Sequence, residues 1–244
     1  MPVVGIEPLS ERMVLLRLQG DERLSQVRAG QFVQVRVAGP DVLLRRPISV
    51  HYVDTDTWQL WLLVQVVGHG TRLMAAMRAG DLLDVLLPLG NGFRPPRRGE
   101  QVLLIGGGVG VAPLLMLAKA SVEAGAGVTL AIGARTASEV VQTDALKRYG
   151  TLYVATNDGT MGTHGLVTDL TVMHEAFDRW YVCGPMAMMR AVAAMARTNG
   201  VACQVSLENR MACGIGACLC CVTRDADGHH RCVCTDGPVF DIEQ

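Results

Sequence analysis

Little in this chain speaks for a charged polymer or a lipid bilayer as its partner. Its 244 residues carry 22 Lys and Arg against 23 Asp and Glu, a formal net charge of −1, so there is no basic excess to neutralise nucleic-acid phosphates and that partner class is set aside. Long hydrophobic runs are missing too. The longest uncharged stretch, Val102–Ala118, is short for a membrane span and is interrupted by Gly106, Gly107, Gly108, Gly110 and Pro113. The N-terminus, Met1 to Gly5, lacks a basic region followed by an apolar stretch and a small-residue cleavage site, so no signal peptide and a cytoplasmic location are expected. There is no internal repeat. Most of the chain is also poor in cysteine: six of the eight lie within the last 32 residues. A disulfide framework would be spread through a small secreted chain, whereas a cluster at one end of an otherwise ordinary sequence points to metal ligation.

What is present divides into three zones. Half the residues are hydrophobic, enough for two compact domains. From residue 1 to 97 the periodicity is mostly two, with Met13–Leu18, Gln31–Val37 and Trp58–Val67 reading as strands broken by Gly, Pro and Asp. That spacing predicts a small antiparallel β-barrel, with one helix over Thr71–Arg78 closed by Gly80. From 98 to 205, short apolar runs at Gln101–Ile105, Val128–Ile132, Leu152–Ala155 and Trp180–Val182 suit buried parallel strands. They alternate with helical stretches at Val111–Ala124, Ser138–Lys147 and Pro185–Arg197, which predicts a doubly wound α/β domain. Residues 206–244 are rich in Cys and Gly, have little regular patterning, and read as a small separate segment.

In that last segment Cys213, Cys218 and Cys221 follow the spacing C-x₄-C-x₂-C, and Cys234 comes after twelve more residues. This is the pattern of plant-type [2Fe–2S] sites, in which a short loop wraps the cluster and its N–H groups point at sulfur. Gly214 and Gly216 stand where such a loop needs small residues. Two close cysteine pairs can also hold a tetrahedral zinc, but zinc sites favour two C-x₂-C knuckles over this triplet. Cys220 and Cys232 remain: each reads as a small buried or incidental thiol, with Cys232 as an alternative to Cys234 for the fourth position.

Two further motifs bear on cofactors. Arg45-Arg46-Pro47-Ile48-Ser49 places an arginine three residues before a serine, so that a guanidinium can grip a pyrophosphate while the hydroxyl faces a flavin edge. Gly68-His69-Gly70-Thr71 then precedes a predicted helix. It reads either as an anion site at free N–H groups or as a glycine turn capped by Thr71. In the second domain, Gly106, Gly107, Gly108 and Gly110 follow a strand and open a helix, as a pyrophosphate cradle does, although not in strict G-x-G-x-x-G spacing. Cys183, in Tyr181-Val182-Cys183-Gly184-Pro185, ends another parallel strand, where ligands of such folds bind; a buried strand-end residue is the plainer alternative.

These motifs stand in the order used by the ferredoxin reductase superfamily, which the chain resembles over essentially its whole length. Plant-type members carry an aromatic residue where Ile48 stands here. One branch resembles this chain in that departure and in the segments Glu208–Cys218 and Cys234–Phe240: the electron-transfer subunits of NAD-linked, type B dihydroorotate dehydrogenase. The resemblance implies an NAD-linked oxidoreductase subunit of pyrimidine biosynthesis. It implies FAD bound by Arg46, Pro47, Ile48, Ser49, Leu63, Val64, Gln65, Gly70 and Thr71, and a [2Fe–2S] cluster on Cys213, Cys218, Cys221 and Cys234. Cys234 is favoured over Cys232 because the family's last cysteine precedes the run Asp236-Gly237-Pro238-Val239-Phe240. NAD is expected at Gly106, Gly107, Gly108 and Gly110, with Cys183 and Ser49 as candidate catalytic residues; Arg135 leaves NADP open on the residues alone. The implied partner is an FMN-containing subunit that oxidises dihydroorotate, in a heterotetramer of two copies of each chain. A reductase serving another acceptor, such as an oxygenase or a transhydrogenase, is the competing reading.

Overall fold

The computed structural model describes residues 1–39 and 42–244, which form two compact units. The first comprises Met1–Gly92 and Glu208–Pro238, the second Phe93–Leu207 and Val239–Gln244. The C-terminal zone therefore does not stand apart as a third body. Its first part folds with the N-terminal strands and its last residues with the α/β unit.

The first unit is built on six strands, β1 (Val3–Ser10), β2 (Met13–Gln19), β3 (Phe32–Arg36), β4 (Arg46–Asp54), β5 (Gln59–Gln65) and β6 (Asp84–Leu89). They form one antiparallel sheet in the order β1-β2-β5-β4-β3-β6. The sheet curls toward closure, because the chain ahead of β6 pairs with the start of β1: Val3 N–H donates to Asp81 O at 2.8 Å and Leu83 N–H to Met1 O at 2.9 Å. This is the expected barrel. Its strands are buried on both faces more than a strict alternation implies. Leu15, Leu16 and Leu18 of β2 and Leu60, Leu62 and Leu63 of β5 are all buried, and Leu16 stands opposite Leu62 in the ladder. The helix that follows, α1 (His69–Ala75), starts two residues earlier and ends earlier than the glycine signal suggested. The early start follows from Thr71, whose hydroxyl oxygen accepts the N–H groups of Val67 (3.0 Å) and Gly68 (3.1 Å) and so caps the helix from within.

The second unit carries β7 (Gln101–Gly107), β8 (Gly127–Ala134), β9 (Thr151–Thr156), β10 (Thr163–His164), β11 (Arg179–Cys183) and β12 (Ala202–Ser206). These are parallel in the order β10-β9-β8-β7-β11-β12; the short apolar runs predicted β7, β8, β9 and β11, while β10 and β12 had no such signal. A small hairpin of β13 (Val222–Arg224) and β14 (His230–Cys232) belongs to the cysteine segment of the first unit. The final strand, β15 (Val239–Asp241), then adds antiparallel to the edge strand β12 of the large sheet. Helix α2 (Leu114–Glu123) is preceded by a separate tight turn at Gly108–Val111, so it begins three residues later than expected. The expected helix over Ser138–Lys147 is reduced to α3 (Thr143–Lys147), because Gln142 takes a left-handed conformation (φ +63°) that a continuous helix does not allow. Helix α4 (Met186–Asn199) ends at Gly200, also left-handed. Among the described residues no helix is long and apolar enough to cross a membrane.

The facing pair Leu16 and Leu62 has no exposure to solvent, so truncating either leaves a cavity that the flanking strands cannot fill. Leu62→Ala should cost about 2–5 kcal/mol of stability, read from chemical denaturation monitored by circular dichroism. An unchanged unfolding midpoint would show that the barrel core does not rest on this pair.

Candidate functional site

The cysteine segment forms an irregular loop in which Gly214 (φ +73°), Gly216 (φ +82°) and Leu219 (φ +56°) hold left-handed conformations. That winding turns backbone N–H groups toward sulfur. Cys213 Sγ accepts the N–H of Ile215 at 3.5 Å and of Cys218 at 3.4 Å. Cys234 Sγ accepts from Gly216 at 3.2 Å, and Cys221 Sγ from Cys234 at 3.4 Å. The thiols lie as two neighbouring pairs, Cys213 with Cys218 and Cys221 with Cys234. Hydrogen bonds from Ile215 and Cys218 bring the Cys213 thiol down to about 6, while burial and the adjacent Cys221 push Cys234 up to about 12. Crowding of this kind opposes ionisation of the buried thiols, and a bound cation would relieve that opposition. Among the described residues, no three His, Cys, Asp or Glu side chains converge on a single ion. A donor set split into two pairs, each able to take one iron, suits a binuclear cluster better than one zinc.

Cys234 is buried and lies near both pairs, whereas Cys232 is half-buried and reaches Cys221 alone. The geometry thus favours Cys234 as the fourth donor. Cys220 is exposed. The loop is anchored within its unit by Asn91, whose side-chain amide donates to Thr235 O at 2.8 Å and whose backbone N–H donates to Gly237 O at 2.6 Å.

A second feature of the same unit is a split in the sheet. β4 pairs with β3 through Arg46–Ser49, and with β5 only from Val50, opposite Leu62, onward. The β4-facing edge of Leu63, Val64 and Gln65 is therefore left without a ladder partner, and faces Arg46–Ser49 across a cleft. The side chains of Leu63 and Val64 are buried in the core, so only their backbone is offered to a ligand. The two arginines at the cleft have different tasks. Arg45 is committed to the fold: it pairs with Asp84 of β6 at 2.8 Å, which holds that carboxyl below its usual range. Arg46 instead lies over the start of α1, where a Cβ on Gly70 would come within 2.6 Å of Arg46 Nε; its guanidinium also donates to the carbonyl of Leu44. Gly70 thus leaves room for the Arg46 guanidinium, which has no carboxylate partner among the described residues. Because the Thr71 hydroxyl is taken up by its own turn, the anion-binding capacity of this cleft rests chiefly on Arg46. Ser49 is half-buried opposite Phe32 in the β3 ladder.

In the second unit the sheet order reverses at β7: the chain moves outward to β8, β9 and β10, then returns to place β11 on the other side of β7. A crevice at the carboxyl ends of β7 and β11 follows from that topology. It is lined by Gly106, Gly107, Gly108 and Gly110 on one side and Cys183, Gly184 and Pro185 on the other, Gly106 standing opposite Cys183. Gly110 could not be another residue, since a Cβ there would lie 2.3 Å from the carbonyl oxygen of Cys183. Cys183 itself is buried at the strand end. Arg135, just past β8, is engaged by the carboxylate of Glu139, with Nε to Oε2 at 3.1 Å.

The comparisons with known proteins agree with this layout. The family model described as the iron–sulfur cluster binding domain of dihydroorotate dehydrogenase B matches residues 208–244, and that of the oxidoreductase NAD-binding domain matches residues 104–194. A dihydroorotate dehydrogenase B (NAD⁺) electron transfer subunit from Shouchella clausii (strain KSM-K16) is 42% identical over 234 residues, covering 93% of this chain and 90% of the relative. The protein of the same name from Bacillus mycoides (strain KBAB4) is 42% identical over 250 residues, covering 99% and 96%. Among solved structures, one described in connection with flavin-based electron bifurcation by an NADH-dependent reduced ferredoxin-NADP oxidoreductase superposes with a TM-score of 0.90. It is 33% identical, over 99% of this chain and 88% of that one. The Amycolatopsis cytochrome P450 reductase GcoB gives a TM-score of 0.70 at 25% identity, over 81% and 64%. On the identity and coverage of these relatives, the chain belongs to the family of electron-transfer subunits of dihydroorotate dehydrogenase B (NAD⁺).

Proposed function

We propose that this chain carries electrons from an FMN-containing, dihydroorotate-oxidising subunit to NAD⁺, working in the cytoplasm within a heterotetramer of two copies of each subunit. The observation that carries the reading is the thiol quartet, arranged as two pairs, in the same unit as a cleft at which Arg46 has no carboxylate partner among the described residues. Cys213 with Cys218 and Cys221 with Cys234 hold a [2Fe–2S] cluster. Arg46 would clamp the pyrophosphate of FAD, and the backbone of Leu63–Gln65, Pro47, Ile48 and Ser49, with Gly70 and Thr71, would hold the flavin. Gly106, Gly107, Gly108 and Gly110 let the NAD pyrophosphate approach the backbone, and Cys183 lines the nicotinamide end. Glu139 supports NAD over NADP, because its carboxylate occupies Arg135, the cation otherwise placed to meet a 2′-phosphate. When bound, the flavin supplies the exchange between two-electron chemistry at the nicotinamide and one-electron chemistry at iron.

A second reading, a reductase that serves another acceptor such as an oxygenase or a transhydrogenase, draws on the 0.90 TM-score with the NADH-dependent reduced ferredoxin-NADP oxidoreductase. It uses the same three cofactors and differs only in the partner.

Three measurements test these assignments. Anaerobically purified protein should contain iron and acid-labile sulfide; Cys218→Ser should lose most of both, while Cys220→Ser should keep them. Zinc at one per chain without sulfide would refute the cluster. Arg46→Ala should lose FAD or bind it more weakly by about 1.5–3 kcal/mol, the range for a charge-assisted hydrogen bond left unmade. Unchanged affinity in a flavin titration would remove Arg46 from the clamp. Alone, the chain should reduce an artificial acceptor with NADH and leave dihydroorotate untouched. Mixing it with an FMN-bearing dihydroorotate-oxidising subunit should create dihydroorotate:NAD activity that neither has alone. If the Cys218→Ser chain supports that activity at the wild-type rate, the relay is wrong; if no such activity arises, the second reading gains.

A further inference from the structure

Gln34 lies in the middle of β3, between Val33 and Val35, and its side chain is fully buried. Among the described residues neither its Oε1 nor its Nε2 has a hydrogen-bond partner. A buried amide left unpaired costs about 1–3 kcal/mol, a penalty that an apolar residue of similar size avoids. Unsatisfied buried groups of this kind ask for a partner outside the polypeptide.

The surroundings identify that partner. Gln34 packs against the cysteine loop at Gly214, where a Cβ would come within 2.6 Å of Gln34 Cγ and 2.8 Å of Nε2. Gly214 follows Cys213 directly and is left-handed, so the position both winds the loop and makes room for the amide. On its other flank β3 is laddered to the flavin segment, Gln34 opposite Pro47 and Val35 opposite Arg46. Its carbonyl accepts from Arg45 at 3.3 Å, which fixes the backbone from which the amide projects.

We propose that Gln34 donates a hydrogen bond from Nε2 to a sulfur of the [2Fe–2S] cluster on its Cys213 side, and thereby raises the reduction potential of the cluster. The amide offers both a donor and an acceptor, and a negatively charged sulfur selects the donor end. Reduction adds negative charge to the cluster, so an N–H directed at sulfur stabilises the reduced form more than the oxidised one. The inference rests on the cluster assignment made above and adds a tuning residue that lies outside the cysteine segment altogether.

The test is a redox titration of the holoprotein, carrying cluster and FAD, followed by optical and EPR spectroscopy for wild type, Gln34→Leu and the nearly isosteric Gln34→Met. Iron and sulfide are assayed first in each. The expected result is full cluster content in at least one variant, a cluster midpoint moved to more negative potential, altered EPR g-values, and an FAD midpoint that stays where it was. Pulsed EPR of wild-type protein labelled with ¹⁵N at glutamine side chains should show a coupling to the reduced cluster that both variants lose. Unmoved cluster midpoints and spectra in cluster-loaded variants would overturn the role of Gln34 and leave the cluster assignment intact, and so would a shift confined to FAD. Absence of iron and sulfide from the wild type would overturn the cluster assignment itself, and Gln34 with it.

Discussion

The ladder between β3 and β4 sets the spacing on which both sites of the first unit depend. Four residue pairs, from Phe32 opposite Ser49 to Val35 opposite Arg46, hold the flavin segment against the strand that carries Gln34. β4 is laddered to β3 from Arg46 but reaches β5 only at Val50, and the β4-facing backbone of Leu63–Gln65 is left open. Had β4 paired with β5 along its full length, the sheet would have been more regular and would have had no cleft. The barrel thus gives up ladder hydrogen bonds where a ligand can replace them. Arg45 stabilises the displaced strand by pairing with Asp84 and with the Gln34 carbonyl, while Arg46 makes no ion pair among the described residues.

A comparable exchange of packing for access governs the second unit. Parallel strands buried on both faces need close cover, and the turns at their carboxyl ends are where cover is thinnest. Here the glycine turn and the end of β11 approach until the Gly110 Cα abuts the Cys183 carbonyl. The crevice is therefore walled by backbone rather than by side chains. That suits recognition of a pyrophosphate, which asks for N–H groups at short range more than for a shaped apolar surface.

The sequence made the architecture legible wherever a local pattern suffices. The four central strands of the α/β unit lie where the short apolar runs put them, and the cysteine spacing identified a loop that does aim its N–H groups at sulfur. What it hid depends on contacts distant in sequence. The attachment of Glu208–Pro238 to the barrel is held by bonds such as that from Asn91 to Thr235, 144 residues apart. No periodicity announces it, and for the same reason β15 could not be foreseen as the edge of the large sheet. Helix ends shifted where a single side chain decided them, as Thr71 does for α1. Gln34 escaped notice because a lone Gln in an alternating strand reads as a solvent-facing residue. β3 is covered on both faces, so the polar position is internal, and only its burial marks it.

The loop around the thiols shows how electrostatics shape its outer surface as well. Turning N–H groups inward toward the sulfurs of Cys213, Cys221 and Cys234 requires the backbone to reverse repeatedly, and each left-handed residue that does so swings its neighbours outward. Ile215 and Leu219 stand 57% and 62% exposed as a result, on either side of Cys218, itself an exposed member of the quartet. Leu219 holds its left-handed conformation without being glycine, at a conformational cost of roughly 1–2 kcal/mol. Glycine in its place would wind the loop equally well and remove the apolar group. Cys221 and Cys234, by contrast, are buried. The quartet is therefore asymmetric, sheltered at one pair and open at the other, and in the proposed relay the open pair, with its apolar collar, is the end at which a redox partner can come closest to iron.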